Sequence, residues 1–263
     1  MAKVAIVTGS ATGLGAACAV DLAGRGWNVA INYTKSKKEA DETYAAVKAK
    51  GVDAILVQAD MGQDADCKKL AAETLKKWGR IDGLVNNAGT TKFQSQGDLD
   101  GVSPEDFDRI LRVNVTGPYM MSRAVWPTMK KQWDEKQERG SIVNISSIAG
   151  VMGVGTSIPY AASKGALNTL TLSLARWFGP AVRVNTVCPG FIQTRWLLGA
   201  LGQDDYEKLK SAQEQTTPLR QAGTPEQMAE AVIFFLTSAS NITGEFLIVD
   251  AGTHLGGLPM KGR

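Results

Sequence analysis

The chain alternates between short apolar runs and longer stretches in which apolar residues recur every three to four positions. A short continuous run predicts a strand buried on both faces, and the longer period predicts a helix with one buried face. Residues 4–7 are the first run, followed by Thr8-Gly9-Ser10-Ala11-Thr12-Gly13-Leu14-Gly15. Leu14, Cys18 and Leu22 then recur at helical spacing up to Gly24 and Gly26, and a second run occupies residues 28–32. The alternation continues with a helix over 37–50 stopped by Gly51, a strand over 54–57, a helix over 64–78 stopped by Gly79, and a strand over 83–85 leading into Asn86-Asn87-Ala88-Gly89. Residues 90–104 read as a polar loop. Ser103-Pro104-Glu105-Asp106 is a helix start, with a cap, a proline in the first turn and acids behind it. That helix carries Phe107, Ile110, Leu111, Asn114 and Val115 on one face, and Pro118 is expected to kink it or divert its hydrogen bonding. The charged segment 130–140 reads as a solvated helix end.

Ile142, Val143 and Ile145 mark a fifth strand, 161–178 a long helix, 182–187 a sixth strand and 246–249 a last one. Residues 193–217 are amphipathic and polar, which reads as a lid more than as core. Thr224-Pro225-Glu226 opens a further helix with Met228, Val232, Phe235 and Leu236 on its buried side, and the chain ends in a Gly-rich tail. Strands separated by helices of this length imply a parallel, doubly wound α/β sheet with right-handed crossovers. The alternation never stops and no linker or repeat interrupts it, so residues 1–263 read as a single domain.

Composition narrows the function classes. The 263 residues are 44% hydrophobic and 21% charged, ordinary for a globular chain, and the net charge of +3 gives no basic stripe for nucleic acid. The amino terminus runs straight into a strand without a signal peptide's apolar region, and no run is long enough to span a membrane. Cys18, Cys67 and Cys188 are three and far apart, which fits reduced thiols in a cytoplasmic protein and no metal site. A Ser-His-Asp triad would rest on His254, the only histidine.

Candidate chemistry concentrates between Ser141 and Gly165. On one helix, Tyr160 and Lys164 stand four apart and share a face. An ammonium beside a phenol favours the phenolate and lowers its pKa, which makes a proton donor and acceptor for an alcohol oxygen. Ser147 adds a hydroxyl able to hold a carbonyl oxygen. The glycine turn after the first strand lets the backbone approach a pyrophosphate at a helix N-terminus, although its G-x-x-x-G-x-G spacing departs from the more common G-x-G-x-x-G.

Taken in order, Thr8-Gly9-x-x-x-Gly13-x-Gly15, Asp60, Asn86-Asn87-Ala88-Gly89, Asn114, Ser147, Tyr160-x-x-x-Lys164 and Pro189-Gly190 resemble the short-chain dehydrogenase/reductase family over essentially the whole chain. The resemblance implies a Rossmann fold of seven strands with a dinucleotide across the carboxyl edge. It implies Tyr160 as general acid and base, Lys164 as the group that tunes it and binds the nicotinamide ribose, Ser147 on the substrate oxygen, and Asn114 holding a water in a proton relay, with a structural amide as the competing role. It places the cofactor against Gly9, Ser10, Thr12, Gly13, Leu14 and Gly15, then Tyr33, Lys35 and Ser36. Asp60 and Met61 stand at the adenine, Asn87, Ala88 and Gly89 form the floor, and Pro189, Gly190, Ile192 and Thr194 border the nicotinamide.

The second strand ends Asn32-Tyr33-Thr34-Lys35-Ser36, with no acid to accept a ribose 2′-hydroxyl and a lysine and a serine that suit a 2′-phosphate. NADP is therefore the expected cofactor, with NAD the alternative. The pocket segments offer Phe93, Val151, Met152, Val154, Ile158, Trp196 and Leu197, with Arg195 as the one cation. A small-molecule carbonyl or alcohol is the expected substrate, either a 3-oxoacyl thioester or a small ketone, since the nearest look is to 3-oxoacyl-carrier-protein reductases. A sugar or polyol dehydrogenase of the same family is the alternative, and a non-catalytic NADP sensor the remote one. The family also implies a homotetramer, packed through the helices near 105–127 and 157–178 and through the last strand; His254 falls at such an interface or on open surface.

Overall fold

The computed structural model describes residues 1–256; the last part of the Gly-rich tail lies outside them. Seven strands form one sheet: β1 (Val4–Val7), β2 (Asn28–Tyr33), β3 (Ala54–Gln58), β4 (Gly83–Asn86), β5 (Gly140–Ile145), β6 (Val182–Pro189) and β7 (Phe246–Val249). Every pairing is parallel and the order across the sheet is β3-β2-β1-β4-β5-β6-β7. The order reverses between β1 and β4, the crevice where such sheets bind ligands at their carboxyl ends.

Successive strand residues point to opposite faces, so each strand feeds two cores. Ala5, Val7, Val29, Ile31, Val143 and Ile145 pack with Leu14, Cys18 and Leu22 of α1 (Gly13–Gly24) and with Met228, Val232 and Ile233 of α10 (Pro225–Ile233). Ile6, Ala30, Leu84, Ile142 and Val184 pack on the other face. Their partners there are Cys67 and Leu70 of α3 (Asp64–Trp78), Met121, Val125 and Met129 of α5 (Gly117–Lys136), and Leu174 of α7 (Ile158–Phe178). This is the doubly wound α/β Rossmann arrangement expected from the alternation. The remaining helices are α2 (Lys37–Lys48), α4 (Pro104–Leu111), α6 (Ala149–Met152), α8 (Arg195–Leu201) and α9 (Gln203–Thr216).

α4 opens on the expected cap: Ser103 Oγ accepts from Asp106 N and the Asp106 carboxylate accepts from Ser103 N. The diversion expected at Pro118 takes the form of a π turn over Arg112–Thr116, with the proline in the first turn of α5. Pro118 has no N–H to continue the α pattern, and one extra residue is absorbed before it.

The segment 130–140 is mostly the exposed helix end expected, but its inner face is not solvated. Gln132 is buried, accepting from Ile81 N at 2.9 Å and donating to Ile81 O at 3.0 Å. Arg80 bridges Asp82 at 2.6 Å and Glu138 at 3.0 Å, and Arg139 lies over the Trp133 ring. The last turns of α5 reach the start of β4, so what reads as a solvated end in the sequence closes the amino edge of the sheet. The segment 193–217 is two helices, α8 and α9, with Tyr206 buried against Phe191. Among the described residues no helix is long and apolar enough to cross a membrane, and no group of three His, Cys, Asp or Glu is placed to hold a metal.

Candidate active site and cofactor crevice

The glycine turn sits between the ends of β1 and β4. Gly9 has φ +61°, and a Cβ there would stand 2.9 Å from Ala88 Cα; a Cβ on Gly15 would stand 2.5 Å from both Asn87 Nδ2 and Gly9 O. Only glycine permits that approach. Thr8, a residue the sequence reading left out of the site, makes the junction: its Oγ1 accepts from Asn87 N and Ala88 N, both at 3.0 Å. Asn87 Nδ2 donates to Thr8 O and Gly9 O at 2.9 Å. Asn32, also left out, accepts from Gly9 N at 3.0 Å and donates to Ala59 O at 2.9 Å, so it locks the turn to β3. A lone amide at a strand end carries no sequence signal for that.

Thr12 caps α1 without a side-chain hydrogen bond, and the first helical N–H to find a helix carbonyl is that of Ala16. The N–H groups of Gly13, Leu14 and Gly15 therefore have no helix carbonyl to meet and stand beside glycine backbone, a setting that fits a pyrophosphate. Two expected contacts are changed. Ser10 is fully buried, donating to Val7 O at 2.7 Å and accepting from Asn32 N at 2.9 Å, and Met61 is buried in the core. Each has only backbone to offer a ligand, because the strand ends that shape the crevice consume their side chains.

The other expected residues come together at the same edge. Asp60 Oδ1 accepts from Gly62 N at 2.8 Å, leaving its second oxygen open. Tyr33 is buried at the end of β2, followed by exposed Lys35 and Ser36; Lys37 is held by Asp41 in an ion pair, and Lys35 has none among the described residues. On the far side, Ile192 bridges Gly223, and Thr194 caps α8 with its side chain. The Thr194 methyl lies 3.4 Å from where a Gly13 Cβ would stand, so the two sides of the crevice nearly meet. Pro189 ends β6 and accepts from Ile148 N, while Gly190 packs on Asp250. His254 is tied to Asp250 at 2.9 Å on this chain's own surface.

Tyr160 and Lys164 are both in the first two turns of α7, with Pro159 setting its start. Lys164 is buried; its Nζ donates to Ile145 O at 2.7 Å and lies 5.5 Å from the Tyr160 ring centroid. The two serines separate cleanly. Ser146 is buried and donates to Lys164 O, whereas Ser147 is half-buried, accepts from Ala149 N and stands on the phenol's side, where it acts to lower the phenol's pKa.

The electrostatics correct one expectation. Burial pushes the Tyr160 phenol up to about 12, and the nearby Ser147 hydroxyl opposes that only in part. Lys164 does not bring the phenol down here, because it stands over the ring and gives its hydrogen bond to Ile145. Burial instead lowers Lys164 itself to about 8.

Asn114 lies in the π turn and is buried. Its amide donates to Thr90 O at 2.9 Å and Ser163 Oγ at 3.0 Å, and its oxygen accepts from Thr90 N at 2.8 Å. One acceptor position on that oxygen remains. It faces Gly89: a Cβ there would stand 3.5 Å from Asn114 Oδ1 and 3.7 Å from Lys164 Nζ.

A phenol, a hydroxyl and an ammonium thus stand beside a glycine-lined crevice at the carboxyl edge of a parallel sheet, and comparison with known proteins gives that arrangement its class. The family model described as enoyl-(acyl carrier protein) reductase matches residues 9–254, and the chain belongs to the short-chain dehydrogenase/reductase family of oxidoreductases. It is 41% identical over 254 residues to the protein assigned as ketoacyl reductase 2 of the granaticin polyketide synthase of Streptomyces violaceoruber, covering 97% of each chain. It is 34% identical to 3-oxoacyl-acyl-carrier-protein reductase FabG of Staphylococcus epidermidis, covering 97% of this chain and all of that one. Among solved structures it resembles a short-chain dehydrogenase/reductase from Burkholderia xenovorans, with a TM-score of 0.88, 37% identity and coverage of 97% and 99%.

Proposed function

We propose that the protein is an NADP-preferring reductase that converts a ketone to a secondary alcohol, with Tyr160 as the proton donor. The observation that carries this reading is the Ser147–Tyr160–Lys164 cluster at the mouth of the glycine crevice. Bound there, the nicotinamide would supply the hydride. Ser147 would hold the carbonyl oxygen, and Tyr160, kept protonated by its burial, would give it a proton. Lys164 would hold the ribose hydroxyls, and the open acceptor on Asn114 would hold a water that reprotonates the tyrosine through Lys164. Lys35 and Ser36, exposed past β2 with no acid beside them until Glu39, support a 2′-phosphate. The substrate class is a 3-oxoacyl thioester or a small ketone.

The protein is further proposed to be one domain and to work in the cytoplasm as a homotetramer. Trp177, Leu172, Phe234 and Leu247 support the assembly, since all are exposed and Trp177 is 78% so. The experiment is a fluorescence titration with NADPH and NADH, followed by NADPH absorbance across ketones, sugars and acetoacetyl thioesters. Tighter NADPH binding with ketone turnover is expected; preference for NADH, or turnover of sugars alone, contradicts the reading.

A further inference from the structure

The mouth of the site differs in charge from the rest of the molecule. The chain is +3 overall. Residues 90–111 hold five acids against two bases, and 195–216 hold four against three. Between Ser147 and Tyr160 there is no charged residue at all. Most cations near the mouth are occupied; Arg195, beside Trp196, is the one of these without an ion pair among the described residues. Lys92 pairs with Asp106 at 2.5 Å, and Arg109 is spread over Asp106, Thr90 and Thr91. On α9, Lys208 pairs with Asp205.

The apolar surface at the mouth is exposed. Val151, Met152, Val154 and Ile158, between 41% and 50% exposed, flank the catalytic serine and tyrosine. Phe93 meets Trp196 edge-on at 5.4 Å and 60°, with Trp196 48% exposed. The Phe93 segment is fixed to the loop beside Tyr160: Gln94 N donates to Thr156 O at 2.8 Å, Gln96 to Gly153 O, and the Thr91 and Thr156 hydroxyls share a 2.6 Å hydrogen bond. That loop packs on the tyrosine, since a Cβ at Gly155 would stand 3.6 Å from Tyr160 Cδ1. The aromatic pair is thus held on the same wall as the reacting group, with Trp196 half exposed and Phe93 partly so.

Resting on the reductase reading, we infer that the ketone arrives free and carried on an aromatic ring system, not on a phosphate-bearing thioester handle. A coenzyme A or phosphopantetheine arm brings negative charge to a net acidic rim where, among the described residues, Arg195 alone is unpaired, whereas a flat neutral ring finds an aromatic pair and a thioether. The reaction is unchanged: the C=O gains a hydride from NADPH and a proton from Tyr160 to become CH–OH, NADPH leaves as NADP, and solvent restores the tyrosine proton.

The test compares the full protein on 2-tetralone and acetoacetyl-coenzyme A with NADPH, at low and moderate salt. Tetralone efficiency is expected to exceed that of the thioester by about tenfold, and the thioester value to rise with salt as repulsion is screened. Trp196→Leu is expected to raise KM for tetralone about tenfold with kcat little changed, as loss of a stacking surface would. A separate readout needs no turnover: tetralone should quench tryptophan fluorescence in the parent and not in Trp196→Leu. A preference for the thioester whose efficiency falls as salt rises overturns the inference and leaves the reductase reading standing. No turnover of either compound contradicts that reading instead, and the quenching then decides the ring site alone: its presence supports the site, its absence removes it.

Discussion

Lys35 and Lys164 place opposite demands on a lysine. Lys35 is exposed and, in the proposed role, meets a phosphate as a point charge. Lys35→Ala is expected to weaken NADPH about tenfold, the scale of one charge-assisted hydrogen bond, and to leave NADH unchanged; equal losses for both cofactors in a fluorescence titration would contradict the 2′-phosphate role. Lys164 is buried, and its pKa falls from 10.5 to about 8. A cation with a depressed folded-state pKa penalises the fold while it is charged. The penalty is full below pH 8 and is relieved as pH rises towards 10.5, because the unfolded chain holds the extra proton across that window. Lys164→Met should therefore gain stability relative to the parent at pH 7, on the order of 3 kcal/mol before the lost Ile145 hydrogen bond is subtracted. That gain should shrink between pH 8 and 10.5, measured by chemical denaturation; a pH-independent difference would mean the ammonium is not desolvated. Ser147→Ala should lower kcat about a hundredfold with cofactor affinity unchanged, and an unchanged kcat would contradict its hold on the carbonyl oxygen. At this scale the sequence named side chains that the structure brings together, and misjudged their electrostatics. A spacing of four says that Tyr160 and Lys164 share a face, but not that the ammonium turns to a backbone carbonyl.

At the scale of elements, the unforeseen parts are those where polar side chains serve backbone groups. The run 130–140 is charged enough to read as solvated, and periodicity cannot reveal that Gln132 satisfies both backbone groups of Ile81. Gln132→Leu should cost about 1–3 kcal/mol by leaving those groups unpaired; a loss below a few tenths in denaturant melts would show that water replaces the amide. The strands and their order of appearance were legible because parallel strands buried on both faces are unbroken apolar runs. The contacts of Thr8, itself part of the glycine motif, and of Asn32 were not, since each acts on a segment far away in the sequence: Thr8 on Asn87 and Ala88, Asn32 on Ala59. The lid expected over 193–217 resolves into α8 and α9, and Tyr206 anchors the second of them against Phe191.

For the whole molecule, one sheet with a core on each face predicts a single cooperative unfolding transition, and the proposed homotetramer, which the exposed Trp177, Leu172, Phe234 and Leu247 support, should be seen by sedimentation velocity. A monomer at micromolar concentration would contradict the assembly without touching the chemistry. The central claim is that Tyr160 delivers the proton, and one comparison tests it most directly. Tyr160→Phe and the parent are assayed for ketone reduction at saturating NADPH, with NADPH affinity measured alongside. The account predicts a loss of about a thousandfold or more in kcat with NADPH affinity retained, since the phenylalanine keeps the ring and removes only the hydroxyl. A kcat within a fewfold of the parent would contradict it.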